Sequence, residues 1–220
     1  MPSINSLDIL ISLFLYSNFY SMILPVVPYG DPVLRREAVE IDENYPDLKK
    51  LISDMWETMY ASNGVGIAAP QIGKSIRIFV IDASSFAEDE DEDGNPLEVE
   101  EKAKSCVGFK KVFINPIIEE ETGDSWVFRE GCLSIPNIRE DVKRQEKILV
   151  TYFDENFDFH EEEFDGYAAR VIQHEYDHIE GILFTDLINP LRRRLLKKKL
   201  NDISKGKVDV KYRMRFPIKK

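Results

Sequence analysis

The spacing of apolar residues along the chain predicts three helices. Apolar side chains recur at helical intervals through residues 46–61 and again through residues 166–179. Asp165 stands where its carboxylate can cap the first turn of the second helix. A third apolar series follows Asn189 and Pro190, which are residues typical of a helix start.

Runs rich in β-branched and aromatic residues predict the strands. They occupy residues 76–82, 112–118, 126–129, 147–153 and 157–164, and the last two form a hairpin. Because helices stand between runs of hairpins, this order favours an α+β fold over a parallel βαβ arrangement.

The N-terminal residues 1–21 differ from the rest of the chain. Residues 9–16 are apolar, yet no Lys or Arg precedes Arg35, so the positive region of a secretory signal is missing. The run is also far shorter than the roughly 20 residues that span a bilayer. We favour translation starting at Met22, with residues 1–21 a non-native or disordered extension; a weak export signal or an additional strand or helix are the alternatives.

A second unusual segment lies at residues 86–105, which contain nine acidic residues together with Gly94 and Pro96. This composition predicts a mobile, solvated insertion, and the spacing of a calcium-binding EF-hand is missing. The chain is therefore divided into a main domain at 22–189 that carries this insertion, and a C-terminal basic helix and tail at 190–220.

Charge is distributed unevenly along the chain of 220 residues, whose net charge is −11. Residues 191–220 hold 13 Lys/Arg against 2 Asp, a net charge of +11, whereas residues 1–190 hold 16 Lys/Arg against 38 Asp/Glu, a net charge of −22. A basic tail can contact a polyanion locally, although a solvated helix face explains it equally well. The two cysteines are too few for a disulfide framework, which predicts a reducing compartment, the cytoplasm.

The strongest chemical signal is the stretch QHEYDH at 173–178. His174 and His178 are four residues apart on a predicted helix, so both imidazoles lie on nearly the same face and can bind one metal ion. Glu175 lies beside them as a proton carrier. Because the chain has three histidines in all, this pair predicts a metal site rather than two unrelated surface histidines.

A metal site needs at least a third protein ligand. Phe184 stands where one group of known HExxH hydrolases has a third histidine, and no Glu occurs after Glu180 to replace it. His160, Cys132 and an upstream carboxylate remain as candidates. We favour Cys132, which follows a glycine in the stretch EGCLS at 130–134, and we expect His160 at an exposed strand position.

The stretch GVGIAAPQ at 64–71 partly fits a dinucleotide-binding loop. Such a loop must follow a strand and open a helix, whereas here a helix precedes the stretch and a strand follows it. No nucleotide cofactor is therefore predicted. The small residues instead indicate backbone lying close to a ligand, with the amide of Gln71 as a hydrogen-bond donor.

These three segments, in this order, resemble the motifs of the peptide deformylase family. The resemblance implies antiparallel sheets packed around a central metal-binding helix, with a C-terminal helix. It also implies a hydrolase that removes the N-formyl group from the initiator methionine of new polypeptides and releases formate. Cys132, His174 and His178 would bind the metal and leave a fourth position for water, from which Glu175 would take a proton.

The resemblance assigns further roles. The Leu133 N–H and the Gln71 side chain would stabilise the oxyanion, and substrate would contact the residues Val65, Gly66, Phe128, Glu130, Tyr167 and Val171. Counting ligands alone favours Zn²⁺, whereas the resemblance implies Fe²⁺, which Zn²⁺, Ni²⁺ or Co²⁺ can replace.

The resemblance also implies partners. These are N-formyl-methionyl nascent peptides and, through the basic C-terminal helix, ribosomal RNA; no membrane partner is expected. Two rival interpretations remain, an HExxH metallopeptidase that cleaves internal peptide bonds and a non-catalytic metal protein on the ribosome.

Overall fold

Five antiparallel strands form the sheet of the computed structural model, which describes residues 21–88 and 99–216. Each strand pairs with the next one along the chain, in the order β1-β2-β3-β4-β5. The strands are β1 (Gly66–Ala68), β2 (Ile78–Asp82), β3 (Lys110–Cys132), β4 (Ile135–Phe153) and β5 (Phe159–Phe164). This arrangement confirms the predicted α+β fold with antiparallel pairing.

Strands β3 and β4 are much longer than predicted and meet at a turn formed by Leu133 and Ser134. Strand β3 joins the two predicted strands at 112–118 and 126–129 through an exposed polar stretch. Its pairing with β4 shifts register at four places, and such bulges bend a strand. At the first of them Asn115 has a positive φ of 48°, and its side chain donates to and accepts from the backbone of Ile41.

The helices are α1 (Leu48–Ala61), α2 (Gly166–Ile179), α3 (Phe184–Leu187) and α4 (Pro190–Ser204), and short 3-10 helices lie at Pro32–Arg35, Ala69–Ile72, Ser84–Phe86 and Glu101–Cys106. The prediction for α2 is confirmed at both ends. The Asn189 side chain accepts a hydrogen bond from the Leu191 N–H, so it caps α4. The Asp165 side chain makes no such bond at the start of α2.

Helix α2 lies in the middle of the molecule, with eleven of its fourteen residues buried. It packs against β1, β2, β4 and the 3-10 helix Glu101–Cys106. Ala168 and Ala169 are small enough to let it approach the sheet closely, and both are buried. As a result the QHEYDH stretch is held inside the protein and faces β3 and β4.

The segment that follows α4 returns across the molecule instead of leaving it. The Val26 N–H donates to the Arg213 carbonyl and the Arg215 N–H donates to the Val26 carbonyl, each at 2.9 Å. Further along, the Asn137 side chain donates to the Asp209 carbonyl at 3.2 Å. The tail is therefore hydrogen-bonded both to the first described residues and to β4, which the sequence did not predict.

Several sequence predictions concern residues 1–20 and 89–98, which lie outside the described residues. Within the predicted insertion, the ends are described: Phe86 closes one 3-10 helix, and residues 101–105 belong to another that packs on α2. The mobility of the insertion and the extent of the N-terminal extension stay predictions. Among the described residues, no helix has both the length and the apolar character that crossing a bilayer requires.

Candidate metal centre

Three side chains from distant parts of the chain meet at one point. The ligand atoms of Cys132, His174 and His178 all lie within 4.8 Å of one another, and the Cys132 Sγ is 3.2 Å from the His178 Nε2. Helix α2 carries both histidines, and Cys132 is the last residue of β3, directly before the turn. His160 lies elsewhere, on β5, where its Nε2 is 3.1 Å from Asp154.

The imidazole of His174 is oriented by Glu130, whose Oε2 is 2.9 Å from its Nδ1. The same carboxylate accepts two hydrogen bonds from Arg144, at 2.7 and 3.0 Å, and one from Arg170, at 3.1 Å. Burial opposes ionisation of Glu130, but hydrogen bonds and charges from His174 and Arg144 dominate and hold its pKa well below the ordinary range. In metal sites, a carboxylate that is hydrogen-bonded to a metal-binding histidine in this way fixes the orientation of the imidazole ring.

Glu130 was predicted to bind substrate, and it does line the cavity at the site. Its carboxylate, however, is 4% exposed and is bonded to three side chains, so it is directed into the protein. Any substrate contact is therefore left to its backbone. The two arginines that pair with it were missed, because a single charged residue in a sequence gives no signal of its buried partner.

The donor set fits a divalent transition-metal ion. A thiolate and two imidazoles are ligands that zinc and other borderline metals accept, and three protein ligands leave a position for reaction. Within the described residues, Glu175 Oε2 is a buried side-chain atom without a hydrogen-bond partner. Such an unpaired polar atom is costly unless solvent or a ligand engages it, which agrees with a water bound beside the candidate ligands.

Glu175 lies beside the candidate ligands and is almost fully buried. Burial raises its pKa to about 7, so this carboxyl can gain and lose a proton near neutrality. Its carboxylate lies against the backbone of Gly66 in β1, where a Cβ would be 2.5 Å from Oε1. Glycine at this position therefore allows the Glu175 carboxylate to approach the backbone of β1 closely, whereas the predicted approach of the GVGIAAPQ stretch to a ligand stays a prediction.

Gln71 is fixed by hydrogen bonds from both ends of its amide. Its Oε1 accepts from the Ala68 N–H at 2.7 Å, and its Nε2 is directed at the Cys132 Sγ at 3.4 Å. Leu133 follows Cys132 in the turn and lines the same cavity. Both predicted oxyanion donors thus belong to residues that neighbour the candidate ligand Cys132.

A cavity of about 930 Å³ opens onto these groups. Of the predicted substrate contacts, Val65, Gly66, Phe128 and Val171 line it. Tyr167 lies behind this wall, with its ring 5.1 Å from that of Phe128.

The cavity also has walls that the sequence analysis missed. One is Phe86, at the start of the acidic insertion, and another is the C-terminal segment Asp209, Val210, Lys211 and Tyr212. Tyr212 is an aromatic residue inside a basic tail, which could have indicated that the tail packs against the body. Phe86 gave no comparable signal.

An antiparallel α+β fold around an HExxH helix, with a cysteine brought to its two histidines, defines a metal-dependent hydrolase. Residues 23–194 match the family model described as polypeptide deformylase. The peptide deformylase of Christiangramia forsetii is 57% identical over 196 residues, which cover 89% of this chain and 97% of that protein. The chain therefore belongs to the peptide deformylase family.

Solved structures agree. The crystal structure of peptide deformylase from Thermotoga maritima is 38% identical, with a TM-score of 0.64, and covers 78% of this chain and 100% of that one. The plant peptide deformylase 1B is 30% identical, with a TM-score of 0.70, and covers 86% and 92%. These findings confirm the predicted activity, a hydrolase that removes the N-formyl group from newly synthesised polypeptides, over the two rival interpretations.

Proposed function

We propose that this enzyme binds its metal through Cys132, His174 and His178 and uses Glu175 to move the proton during hydrolysis. The observation that carries the proposal is the convergence of one sulfur and two imidazoles beside a buried carboxylate. The histidine–carboxylate contact between His174 and Glu130 supports it further, since such contacts accompany metal-binding histidines.

The proposed metal is Fe²⁺, which Zn²⁺, Ni²⁺ or Co²⁺ can replace. The family resemblance favours iron, while the donor set also suits zinc. When bound, the cation acts as a Lewis acid that polarises the formyl oxygen and makes water more acidic.

Glu175 is proposed as the general base and then the general acid. Its position against Gly66 holds the carboxylate at the inner end of the cavity, and its buried Oε2 is available for a proton. It accepts a proton from the attacking water and delivers it to the departing amine, so that formate and a free amino terminus leave.

The oxyanion that develops at the formyl carbon needs hydrogen-bond donors. The Gln71 Nε2 and the Leu133 N–H are proposed for this role because they flank Cys132 and line the cavity. Each such donor is worth roughly 2.7–4 kcal/mol in comparable acyl-transfer sites. The hydrogen bond from the Ala68 N–H fixes the Gln71 amide, so this donor is oriented before substrate arrives.

The substrate backbone is proposed to add to the sheet at β1. This strand is at one edge of the sheet and pairs with β2 on its other side, so its outer edge can accept an extended peptide. The methionine side chain enters the cavity between Val65, Phe128 and Val171, and Tyr167 supports this wall from behind.

Helix α4 is proposed to dock on ribosomal RNA, which would place the enzyme beside emerging chains in the cytoplasm. Arg192 pairs with Glu140 and Arg193 pairs with Asp186, so these two side chains are partly engaged within the protein. The remaining basic residues of the helix are exposed and are better placed for phosphate contacts: Arg194, Lys197, Lys198 and Lys199.

Formate release from formyl-Met-Ala-Ser by anaerobically purified enzyme tests the proposal, with acetyl-Met-Ala-Ser as the comparison substrate and metal content measured on the same samples. The parental enzyme should release formate and leave the acetyl peptide intact. Glu175→Gln should retain metal but lower kcat by about 100-fold or more. Cys132→Ser should lose metal.

The control is Glu121→Gln, which removes the charge of an exposed carboxylate on β3 and should leave formate release unchanged. Parental turnover by the Glu175 variant would contradict the proposed proton transfer, and full metal retention by the Cys132 variant would contradict the ligand set.

A further inference from the structure

The C-terminal segment Asp209–Tyr212 is part of the cavity wall, although it is separated from the HExxH helix by all of α4. The segment is held by backbone hydrogen bonds between Val26 and its continuation at Arg213 and Arg215. The segment therefore has a defined position in the fold.

Within this segment Tyr212 makes a specific contact with the site. Its hydroxyl donates a hydrogen bond of 2.6 Å to the carbonyl of Leu133, across 79 positions of sequence. The side chains of both residues pack on the same core, between α1, β1 and β2. The contact thus has an apolar part, which fixes the ring, and a polar part, which fixes the carbonyl.

The residue that Tyr212 holds is the one that follows the metal ligand Cys132. Leu133 and Ser134 form the turn between β3 and β4, and the Ser134 carbonyl accepts a hydrogen bond from the Tyr29 N–H at 2.7 Å. The Leu133 side chain also packs closely against Gly64. A Cβ added at this glycine would be 3.0 Å from the Leu133 Cδ1. Both carbonyls of the turn are therefore bonded to elements outside the hairpin.

We propose that Tyr212 is a positioning residue of the active site, which holds the Leu133 turn so that its N–H is directed at the reacting carbonyl. The inference rests on the proposed function, in which that N–H stabilises the oxyanion. A donor contributes to the rate only if it is oriented before charge develops. Loss of the Tyr212 hydroxyl leaves the cavity intact but lets the turn reorient. The rate of the chemical step should therefore fall by a larger factor than the affinity for substrate.

The test is steady-state hydrolysis of formyl-Met-Ala-Ser by Tyr212→Phe, which keeps the ring and removes the hydroxyl. Since a net hydrogen bond is worth about 0.5–1.5 kcal/mol and each 1.36 kcal/mol is tenfold in rate, kcat should fall about 2- to 13-fold, while KM stays within about twofold. Metal content should equal that of the parental enzyme. The control is Tyr45→Phe, because Tyr45 is partly buried on the same core and its loss of a hydroxyl should leave kcat unchanged.

A second variant, Tyr212→Leu, separates the effect of the hydrogen bond on kcat from the effect of the packing of the ring. Similar kcat losses in the Phe and Leu variants support the proposal. Parental kcat for Tyr212→Phe, or a loss confined to KM, would overturn it. If the parental enzyme itself released no formate, the proposed function would fail instead, so the two failures are distinguishable.

Discussion

At the residue scale, the absence of a side chain at Gly66 is as important as the side chains that are present. A Cβ at this position would be 2.5 Å from the Glu175 Oε1 and 2.9 Å from its Cδ and Cγ. Glu175 is buried, so it cannot swing into solvent to avoid the clash. The glycine therefore sets the position of Glu175, the proposed proton carrier.

Gly66→Ala should consequently displace Glu175 while the fold survives. A misplacement of about 1 Å at a reacting group can cost 100-fold in rate, and we expect a loss of that order in kcat for formyl-Met-Ala-Ser. The control is Gly108→Asn, since no atom lies within 4 Å of a Cβ there and Asn tolerates its φ of +62°. Parental kcat in the Gly66 variant, with an unchanged urea midpoint, would show that Glu175 has room to move.

At the element scale, helix α2 was predicted from the sequence but the long strands were not. Helix α2 has a regular apolar series and ends before Gly181, where the φ of +72° suits glycine. The first half of β4 has no apolar alternation, because two of its inward positions are the charged residues Glu140 and Arg144. Arg144 is buried because Glu130 pairs with it, and that pairing is a tertiary fact which the local sequence does not contain.

In the candidate site, too, some residues were predictable from the sequence and others were not. The two candidate histidine ligands and the proposed proton carrier were predictable because they share one local motif, in which His174 and His178 are four positions apart. Two further parts of the cavity wall were not predictable, since Phe86 and Tyr212 come to the cavity through the topology of the chain.

The short 3-10 helix Ser84–Phe86 provides a testable wall. The Phe86 ring is 6.4 Å from the Phe128 ring, edge to face, and 5.3 Å from the Tyr167 ring, so it closes one side of the cavity. Phe86→Ala should widen the cavity and reduce the preference for formyl-Met over formyl-Phe peptides about tenfold, measured as a ratio of kcat/KM values.

Phe159→Ala is the matched control, because Phe159 is 61% exposed on β5 and does not line the cavity. An unchanged preference in the Phe86 variant would mean that the side chain of the first residue does not reach this wall.

At the scale of the whole molecule, opposite charges are separated between a basic C-terminal region and an acidic body. Lysines 197–199 are exposed along one stretch of α4, and the buried residues Leu196 and Leu200 on either side fix the helix to the body. The proposed attraction of α4 to RNA and the hydrolysis at the proposed metal centre should therefore be separable.

Replacing Lys197, Lys198 and Lys199 with Glu should weaken binding to purified ribosomes and reduce the dependence of log K on log salt concentration by about three. Turnover of formyl-Met-Ala-Ser should not change. The control carries the same charge change at three exposed lysines elsewhere: Lys49, Lys74 and Lys143. Equal ribosome affinity of both triple variants would rule out a local role for α4.

The position of Tyr212 and its neighbours in the cavity wall affects when the cleft is completed during synthesis of the chain. A ribosome makes residues 209–212 after the HExxH helix, so a nascent chain that has been made only as far as α4 holds that helix beside an incomplete cleft.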